Sequence, residues 1–183
     1  IKHTAVIPIG SQMVTNDIRI ILCTSLVASE EIKIQYGCLS SNSNMDVNIP
    51  VPSVSDKPDT ETTKTILSQI IAARVNEIFD AIQKEIANSG YSSKIRAGIV
   101  FTGGGAKLEG LDNFAESYFQ QPSRIGSPKS IKGLEDLRGK TRYSTAVGLL
   151  LYRYKELSLM SSKNKYTSKI GSMFDRYLSL IHI

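Results

Sequence analysis

The chain has 183 residues, of which 41% are hydrophobic and 21% are charged, a composition that allows a globular core and excludes disordered and fibrous classes. No apolar run approaches the roughly 20 residues of a membrane span, and the start lacks the regions of a signal peptide. The formal charge of +5 is concentrated after residue 152, where six basic residues accompany two acidic ones, which argues against a nucleic-acid-binding surface on the body of the chain.

The first forty residues predict one strand and two helices. Residues 4–10 are rich in β-branched side chains and end at a glycine, which predicts a strand. The chain opens directly on this segment, so we expect a fragment of a longer protein. Residues 12–26 have apolar side chains at helical spacing, and residues 29–37 predict a short amphipathic helix ending at Gly37, a position where glycine caps helices.

The middle of the chain contains the longest predicted helix. An irregular stretch around a short strand at residues 46–54 comes first, and the helix is predicted from Thr60 to Asn88, with Gly90 stopping it. Its apolar face comprises Ile66, Leu67, Ile70, Ile71, Val75, Ile78, Phe79, Ile82 and Ile86.

Strands and helices alternate in the next segment. Residues 96–104 predict a strand, 110–120 a helix, 123–128 a short strand, and 143–157 a helix with Ser144 as its N-cap. This alternation is typical of an α/β fold.

The end of the chain predicts a linker and an amphipathic helix. Residues 158–168 are polar with little periodicity, as in a linker. Apolar residues then recur at helical spacing, although Gly171 weakens the helix by about 1 kcal/mol relative to alanine. The apolar stripe comprises Ile170, Met173, Phe174, Tyr177, Leu178 and Ile181.

Three consecutive glycines, Gly103 to Gly105, follow a predicted strand. The spacing fits neither the P-loop pattern nor the dinucleotide-binding pattern. A glycine cluster there allows a flat or charged ligand to approach the main chain, and the alternative is a tight turn that needs positive φ. Cys23 and Cys38 lack metal-ligand spacing, so no metal site is predicted.

Five ordered segments resemble the second half of the bacterial cell-division FtsA family, within the actin, sugar-kinase and heat-shock-chaperone superfamily. They are IPIGSQMVTNDI, SEEIKIQYG, GIVFTGGGAKLEG, RIGSP and YSTAVGLLLY. The resemblance implies an α/β, actin-like (ribonuclease H-like) second-half domain with an inserted α+β subdomain, and a C-terminal amphipathic helix on a flexible linker.

The resemblance implies an ATP site, with Mg²⁺ in the full-length protein. In the superfamily, the helix that contacts ribose and adenine carries an acidic residue followed three positions later by a lysine, and Glu30 and Lys33 match that spacing. The alternative for this pair is a solvated surface interaction. The family usually has a second glycine where this chain has Ser11. The cofactor-binding residues implied are Gly10, Glu30, Lys33, Gly103, Gly104, Gly105, Ala106 and Lys107.

The superfamily's phosphate-binding turns, and the residues that hold the metal and hydrolytic water, are not matched in this sequence. We therefore expect no catalytic residues in this chain, and neither ATP hydrolysis nor tight ATP binding by it alone. The protein is predicted to be an adaptor, not an enzyme.

The resemblance also implies two binding surfaces. Residues around Lys57 and Arg74 correspond to the subdomain that grips the acidic, apolar C-terminal tail of the tubulin-like FtsZ; alternatively Arg74 lies at the edge of a core helix. The terminal helix corresponds to a membrane-targeting helix, and its amphipathic pattern suits a bilayer interface. The alternative is docking on the domain or on a partner. The membrane-binding residues predicted are Lys169, Ile170, Met173, Phe174, Arg176, Tyr177 and Leu178.

The predicted function is that of a fragment of an actin-like protein that binds ATP, self-associates into filaments and tethers FtsZ to the inner membrane. Other divisome proteins are further expected partners, nucleic acid is not, and the expected location is the cytoplasmic face at the division site. A sugar-kinase-type phosphotransferase and a pilus-assembly actin homologue remain alternatives. The predicted segments are 1–38 and 95–157 (actin-like subdomain 2A), 39–94 (partner-binding subdomain 2B), 158–168 (linker) and 169–183 (membrane helix).

Overall fold

The computed structural model describes residues 1–39, 47–54, 58–95, 97–128, 135–137 and 139–163. The chain divides into two compact units, Ile1–Gly126 and Ser127–Ile183. Lys57, the end of the predicted linker and the whole predicted membrane helix lie outside the described residues.

Two helices begin the first unit. Helix α1 is Ser11–Ile21, and helix α2 is Leu26–Tyr36, whose N-cap Ser25 accepts a hydrogen bond from the Ala28 amide at 3.1 Å. Val14 and Ile18 of α1 are buried and so begin the core. The predicted strand at residues 4–10 is wrong, since none of the described residues pairs with this segment as a strand requires.

A two-stranded antiparallel sheet follows, made of β1, Asn48–Val51, and β2, Thr60–Thr63. The start of the predicted long helix is therefore wrong: its first four residues are a strand, because threonines suit a pleated, half-buried surface. Helix α3 is Lys64–Asn88, and the Thr63 hydroxyl caps it by accepting a hydrogen bond from the Ile66 amide at 3.3 Å. Gly90, at φ +69°, follows its end, as the predicted stop requires.

The predicted apolar face of α3 forms the centre of the core. Leu67, Ile71 and Phe79 are each no more than 2% exposed, whereas Ile66 at the start of the face is 45% exposed. The Phe79 ring lies within 6.0 Å, centroid to centroid, of four other aromatic rings. Those rings belong to Phe101, Phe114, Tyr118 and Phe119. Tilted aromatic contacts at these distances add to the stability from area burial.

A βαβ unit completes the first unit. Strand β3, Ile99–Phe101, and strand β4, Ser123–Ile125, are parallel, and helix α4, Leu111–Phe119, connects them. Gly98 precedes β3 at φ +83°, where an added Cβ would lie 2.1 Å from the Pro122 carbonyl oxygen. This close approach requires glycine.

The second unit contains helix α5, Ser144–Lys163, preceded by a 3₁₀ turn at Thr141–Tyr143. The helix is predicted correctly, but α5 extends into the segment predicted as a linker. The predicted N-cap, Ser144, is itself helical, and its hydroxyl donates to the Thr141 carbonyl at 2.7 Å. In the described part of the chain, no helix combines the length and apolarity needed to cross a bilayer.

Candidate functional site

The three-glycine loop leaves β3 through a sharp turn. Gly103 has φ +96°, so the tight-turn interpretation is correct for this residue. A 3₁₀ turn at Gly105–Lys107 follows, in which Ala106 is buried and Lys107 is exposed. The main chain at Gly104 is open, because an added Cβ there would meet no atom within 4 Å.

The loop is anchored on both sides. At its start, the Thr102 hydroxyl donates to the Gly126 carbonyl at 2.8 Å, just after β4. At its end, the Leu39 amide donates to the Glu109 carbonyl at 2.8 Å, in the segment after α2. The loop is therefore fixed both to the βαβ unit and to the end of α2.

The loop packs against the beginning of α1. An added Cβ on Gly105 would lie 3.2 Å from the Ser11 Cβ, so the missing side chain allows this contact. Gly10 is the N-cap of α1, and an added Cβ there would meet nothing within 4 Å. The first turn of a helix has main-chain N–H groups without intrahelical partners, which favour an anion or a hydrogen-bond acceptor.

Glu30 and Lys33 reach the same place from α2. The Lys33 Nζ donates to the Ser11 carbonyl at 3.3 Å, to the Thr15 Oγ1 at 2.7 Å and to the Glu30 Oε2 at 2.7 Å. The Lys33 side chain is only 12% exposed. The pair is therefore more than a solvated surface interaction, since the ammonium group joins α2 to the first turn of α1.

Thr15 belongs to the helix start VTNDI, which in the family resemblance corresponds to the wall of the nucleotide cleft, but it is not among the predicted cofactor-binding residues. It is 0% exposed, and its hydroxyl donates to the Glu30 Oε2 while accepting from Lys33. Burial raises the pKa of Glu30, but hydrogen bonds from Lys33 and Thr15 and the charge of Lys33 outweigh it, so the pKa is lowered from 4.5. The carboxylate is thus charged at neutral pH. The sequence signal for Thr15 was its position in the family-like segment IPIGSQMVTNDI, one turn after Ser11.

The structure therefore brings together four of the eight predicted cofactor-binding residues at the beginning of α1. Gly10 is the N-cap of α1, and Gly105 lies against Ser11. Lys33 donates to Ser11, and Glu30 accepts from Thr15 one turn later. These groups offer an open main chain, helix N–H donors and a carboxylate whose side chain is 41% exposed. Such a set can bind a flat ligand with hydroxyl groups.

Arg74 lies elsewhere, between α1 and α3. Its Nε and Nη2 donate to the two oxygens of Asp17 at 2.5 and 2.8 Å, and its Nη1 donates to Glu77 at 2.5 Å. The hydrogen bond with Asp17 is the main reason that the pKa of Arg74 is raised. Arg74 is thus a bridge between two helices, and its partner-binding role stays a prediction.

A sequence profile described as "Cell division protein FtsA" matches residues 1–148. The chain belongs to the FtsA family. Curated FtsA proteins are 43% identical over 173 residues in Pseudomonas aeruginosa, 41% over 152 residues in Neisseria meningitidis and 36% over 187 residues in Escherichia coli K12. These alignments cover 92%, 82% and 96% of this chain, and 42%, 37% and 44% of the relatives. The chain therefore spans less than half the length of these FtsA relatives.

A comparison with solved structures supports the fold independently of the sequence matches. The crystal structures described as MreB 5 of Spiroplasma citri bound to AMPPNP and MreB5 of Spiroplasma citri bound to ADP match with TM-scores of 0.67 and 0.68 at 16% identity. The matches cover 86% and 85% of this chain and 47% of each MreB chain. The actin-like fold predicted from sequence is confirmed, as is the FtsA family against the sugar-kinase and pilus-assembly alternatives. The inserted subdomain and the terminal helix stay predictions.

Proposed function

We propose that this chain supplies the adenosine-binding half of an ATP cleft in an FtsA-type cell-division protein. The observation that carries the proposal is the meeting of Gly105, Glu30 and Lys33 at the first turn of α1, around Ser11. Adenine is flat and ribose carries hydroxyl donors, so an open glycine main chain and a charged carboxylate complement adenosine. The names of the two MreB structures, bound to AMPPNP and to ADP, add support from the shared fold.

In this proposal the chain binds and orients the nucleoside and does not cleave ATP. Glu30 accepts hydrogen bonds from ribose hydroxyls, and Lys33 holds Glu30 and α1 in place. The glycine loop, with Ala106 and Lys107, lies against the base and the adjoining phosphate. Other parts of the full-length protein hold the triphosphate and Mg²⁺. ATP thus acts as a conformational ligand.

The test is ATP binding by the full-length protein, measured by isothermal titration calorimetry. We expect Glu30→Gln to weaken binding roughly tenfold, because a hydrogen bond to a charged acceptor is weakened. Glu31→Gln is the matched control, since Glu31 is the exposed neighbour on α2. Equal affinities for Glu30→Gln and the unaltered protein would contradict the site. Residues 1–183 alone should show no micromolar ATP affinity in a thermal-shift titration.

The protein as a whole is proposed to tether FtsZ filaments to the inner membrane and to self-associate during septum formation. Membership of the FtsA family and the amphipathic pattern of the terminal segment support this role. We expect the full-length protein to float with anionic phospholipid vesicles and to lose this binding when truncated after Thr167. Zwitterionic vesicles are the control. Unchanged flotation of the truncated protein would contradict the membrane role of the terminal segment.

A further inference from the structure

Thr15 links the two functional side chains of α2 through one buried hydroxyl group. The residue is 0% exposed, and its Oγ1 lies 2.7 Å from the Lys33 Nζ and within hydrogen-bond distance of the Glu30 Oε2. Its third contact, to the Ser11 carbonyl, is longer at 3.3 Å. Since a hydroxyl has one proton and Lys33 has only donors, the hydroxyl donates to Glu30 and accepts from Lys33.

The two oxygens of the Glu30 carboxylate are therefore not equivalent. Oε2 accepts from both Thr15 and Lys33, whereas Oε1 has no hydrogen-bond partner among the described residues. The Glu30 side chain is nevertheless 41% exposed, so Oε1 is accessible to a ligand. The difference between the two carboxylate oxygens is therefore set by Thr15 and Lys33, without a ligand.

We propose that Thr15 is a positioning residue that turns the Glu30 Oε1 toward the ligand and so gives the site its preference for a hydroxyl-bearing ligand such as ribose. This inference rests on the proposed nucleotide site. Thr15 acts through Glu30 and needs no contact with the ligand. The hydrogen bonds with Glu30 and Lys33 hold the Thr15 hydroxyl on the α2 side.

Removal of the Thr15 hydroxyl is expected to alter the orientation of the Glu30 carboxylate more than it alters the fold. In Thr15→Val the shape is retained, but Oε2 loses a donor and Lys33 loses an acceptor. The Glu30 carboxylate then keeps a single bond, to Lys33, and its terminal torsion is broad. A hydroxyl-bearing ligand should lose affinity, whereas a ligand without those hydroxyls should not.

The experiment compares ATP with 2′,3′-dideoxy-ATP on the full-length protein by calorimetry. We expect the unaltered protein to prefer ATP, and Thr15→Val to weaken ATP binding roughly tenfold while leaving the dideoxy analogue unchanged. Thr15→Ser restores the hydroxyl and should restore the preference. Thr62→Val is the matched control, because Thr62 is a buried threonine of β2. If Thr15→Val does not fold, Thr15→Ala removes the same hydroxyl without steric demand.

The outcomes separate this inference from the proposed function. An unaltered protein that prefers ATP, together with a Thr15→Val protein that keeps the same preference, overturns the positioning role alone. Equal weakening of both ligands by Thr15→Val also overturns it, since that result indicates a purely structural role. Absence of ATP binding by the unaltered full-length protein overturns the nucleotide site and this inference together.

Discussion

Asp17 on α1 and Arg74 on α3 form a two-point ion pair, with nitrogen–oxygen distances of 2.5 and 2.8 Å. Their side chains are 18% and 21% exposed. Asp17 lies only two positions after Thr15, so one short helix carries both a residue of the candidate nucleotide site and the contact to α3. The planar guanidinium group matches a carboxylate at both oxygens, which a lysine ammonium cannot do.

The first prediction is that Asp17 and Arg74 are coupled in stability. Asp17→Asn and Arg74→Met should each lower the free energy of unfolding. Asp17→Asn leaves the Arg74 charge paired only with Glu77, and Arg74→Met removes the guanidinium partner of Asp17. The double variant should be less destabilised than the sum of the two single changes. Urea denaturation of all four proteins gives the coupling energy. If the destabilisation of the double variant equals the sum of the two single changes, the ion pair contributes no coupling energy between α1 and α3.

The second prediction concerns binding of the FtsZ tail by Arg74. If the guanidinium contacts the acidic tail directly, Arg74→Glu should weaken binding, and Asp17→Asn should strengthen it because a competing carboxylate is neutralised. Fluorescence anisotropy with a labelled FtsZ C-terminal peptide measures both affinities. No effect of Arg74→Glu would refute the assignment. Weakening by Asp17→Asn as well would indicate that Arg74 acts through the packing of α1 on α3.

The third prediction concerns the space at Gly105. Gly105→Val should cost about 1–3 kcal/mol of stability, since an added Cβ would already lie 3.2 Å from the Ser11 Cβ and must displace it. Gly104→Ala is the matched control for stability, because its Cβ would meet no atom within 4 Å and its φ is −65°. Thermal unfolding measures both. Equal melting temperatures for the two variants would contradict the loop–helix contact.

The fourth prediction compares two glycines with positive φ. Gly90→Ala should cost about 1–2 kcal/mol from backbone strain alone, since its surroundings are open. Gly98→Ala should cost about 2–5 kcal/mol, because the strain adds to a clash with the Pro122 carbonyl oxygen. Chemical denaturation of the two proteins gives the difference. If Gly98→Ala were as stable as Gly90→Ala, the close approach of Gly98 to the Pro122 carbonyl oxygen would be contradicted.

The fifth prediction is a pH dependence arising from Glu30. Its pKa in the folded protein is lowered from 4.5, so the carboxylate stabilises the fold above that pH. The contribution is lost as the pH falls through the lower, folded-state pKa. Stability of the unaltered protein and of Glu30→Gln should therefore differ near neutrality and converge in acid. Denaturant titrations at a series of pH values test this, and a constant difference down to the acid limit would exclude Glu30 as the cause.

Elements with a long periodic pattern could be predicted from the sequence, whereas elements defined by a distant partner could not. The face of α3 is readable because its apolar residues recur over many turns. The strand Thr60–Thr63 was missed because its four residues carry no alternation of apolar and polar side chains, and its identity depends on pairing with Asn48–Val51. The segment at residues 4–10 has strand composition but no paired neighbour among the described residues.

Gly37 is at the end of α2, as predicted, but the reason for glycine at this position differs from the predicted one. The sequence predicts a helix cap at this position, for which glycine usually supplies positive φ. The residue does end α2, but its φ is −66°, which any amino acid adopts. Glycine is needed because an added Cβ would lie 2.3 Å from the Lys33 carbonyl oxygen. Crowding of this kind cannot be seen without coordinates.

Individual residues of the candidate site could be predicted from the sequence, but the hydrogen bonds that connect them could not. Glu30 and Lys33 were selected through a family resemblance, since their spacing alone also fits an exposed ion pair. Their attachment to Ser11 and Thr15 depends on how α1 packs on α2, which local sequence does not encode. The resemblance covers the segment that contains Thr15, but the role of this residue could be recognised only from its hydrogen bonds.

The anchoring of the glycine loop has an entropic consequence. Fixing one residue's backbone costs about 1–2 kcal/mol at room temperature, and glycine loses more freedom than any other residue. Hydrogen bonds from Thr102 to Gly126 and from Leu39 to Glu109 make much of that ordering part of folding. A ligand that lies against Gly103–Gly105 therefore meets a surface that is already ordered, and little of its binding energy is spent on immobilising the protein.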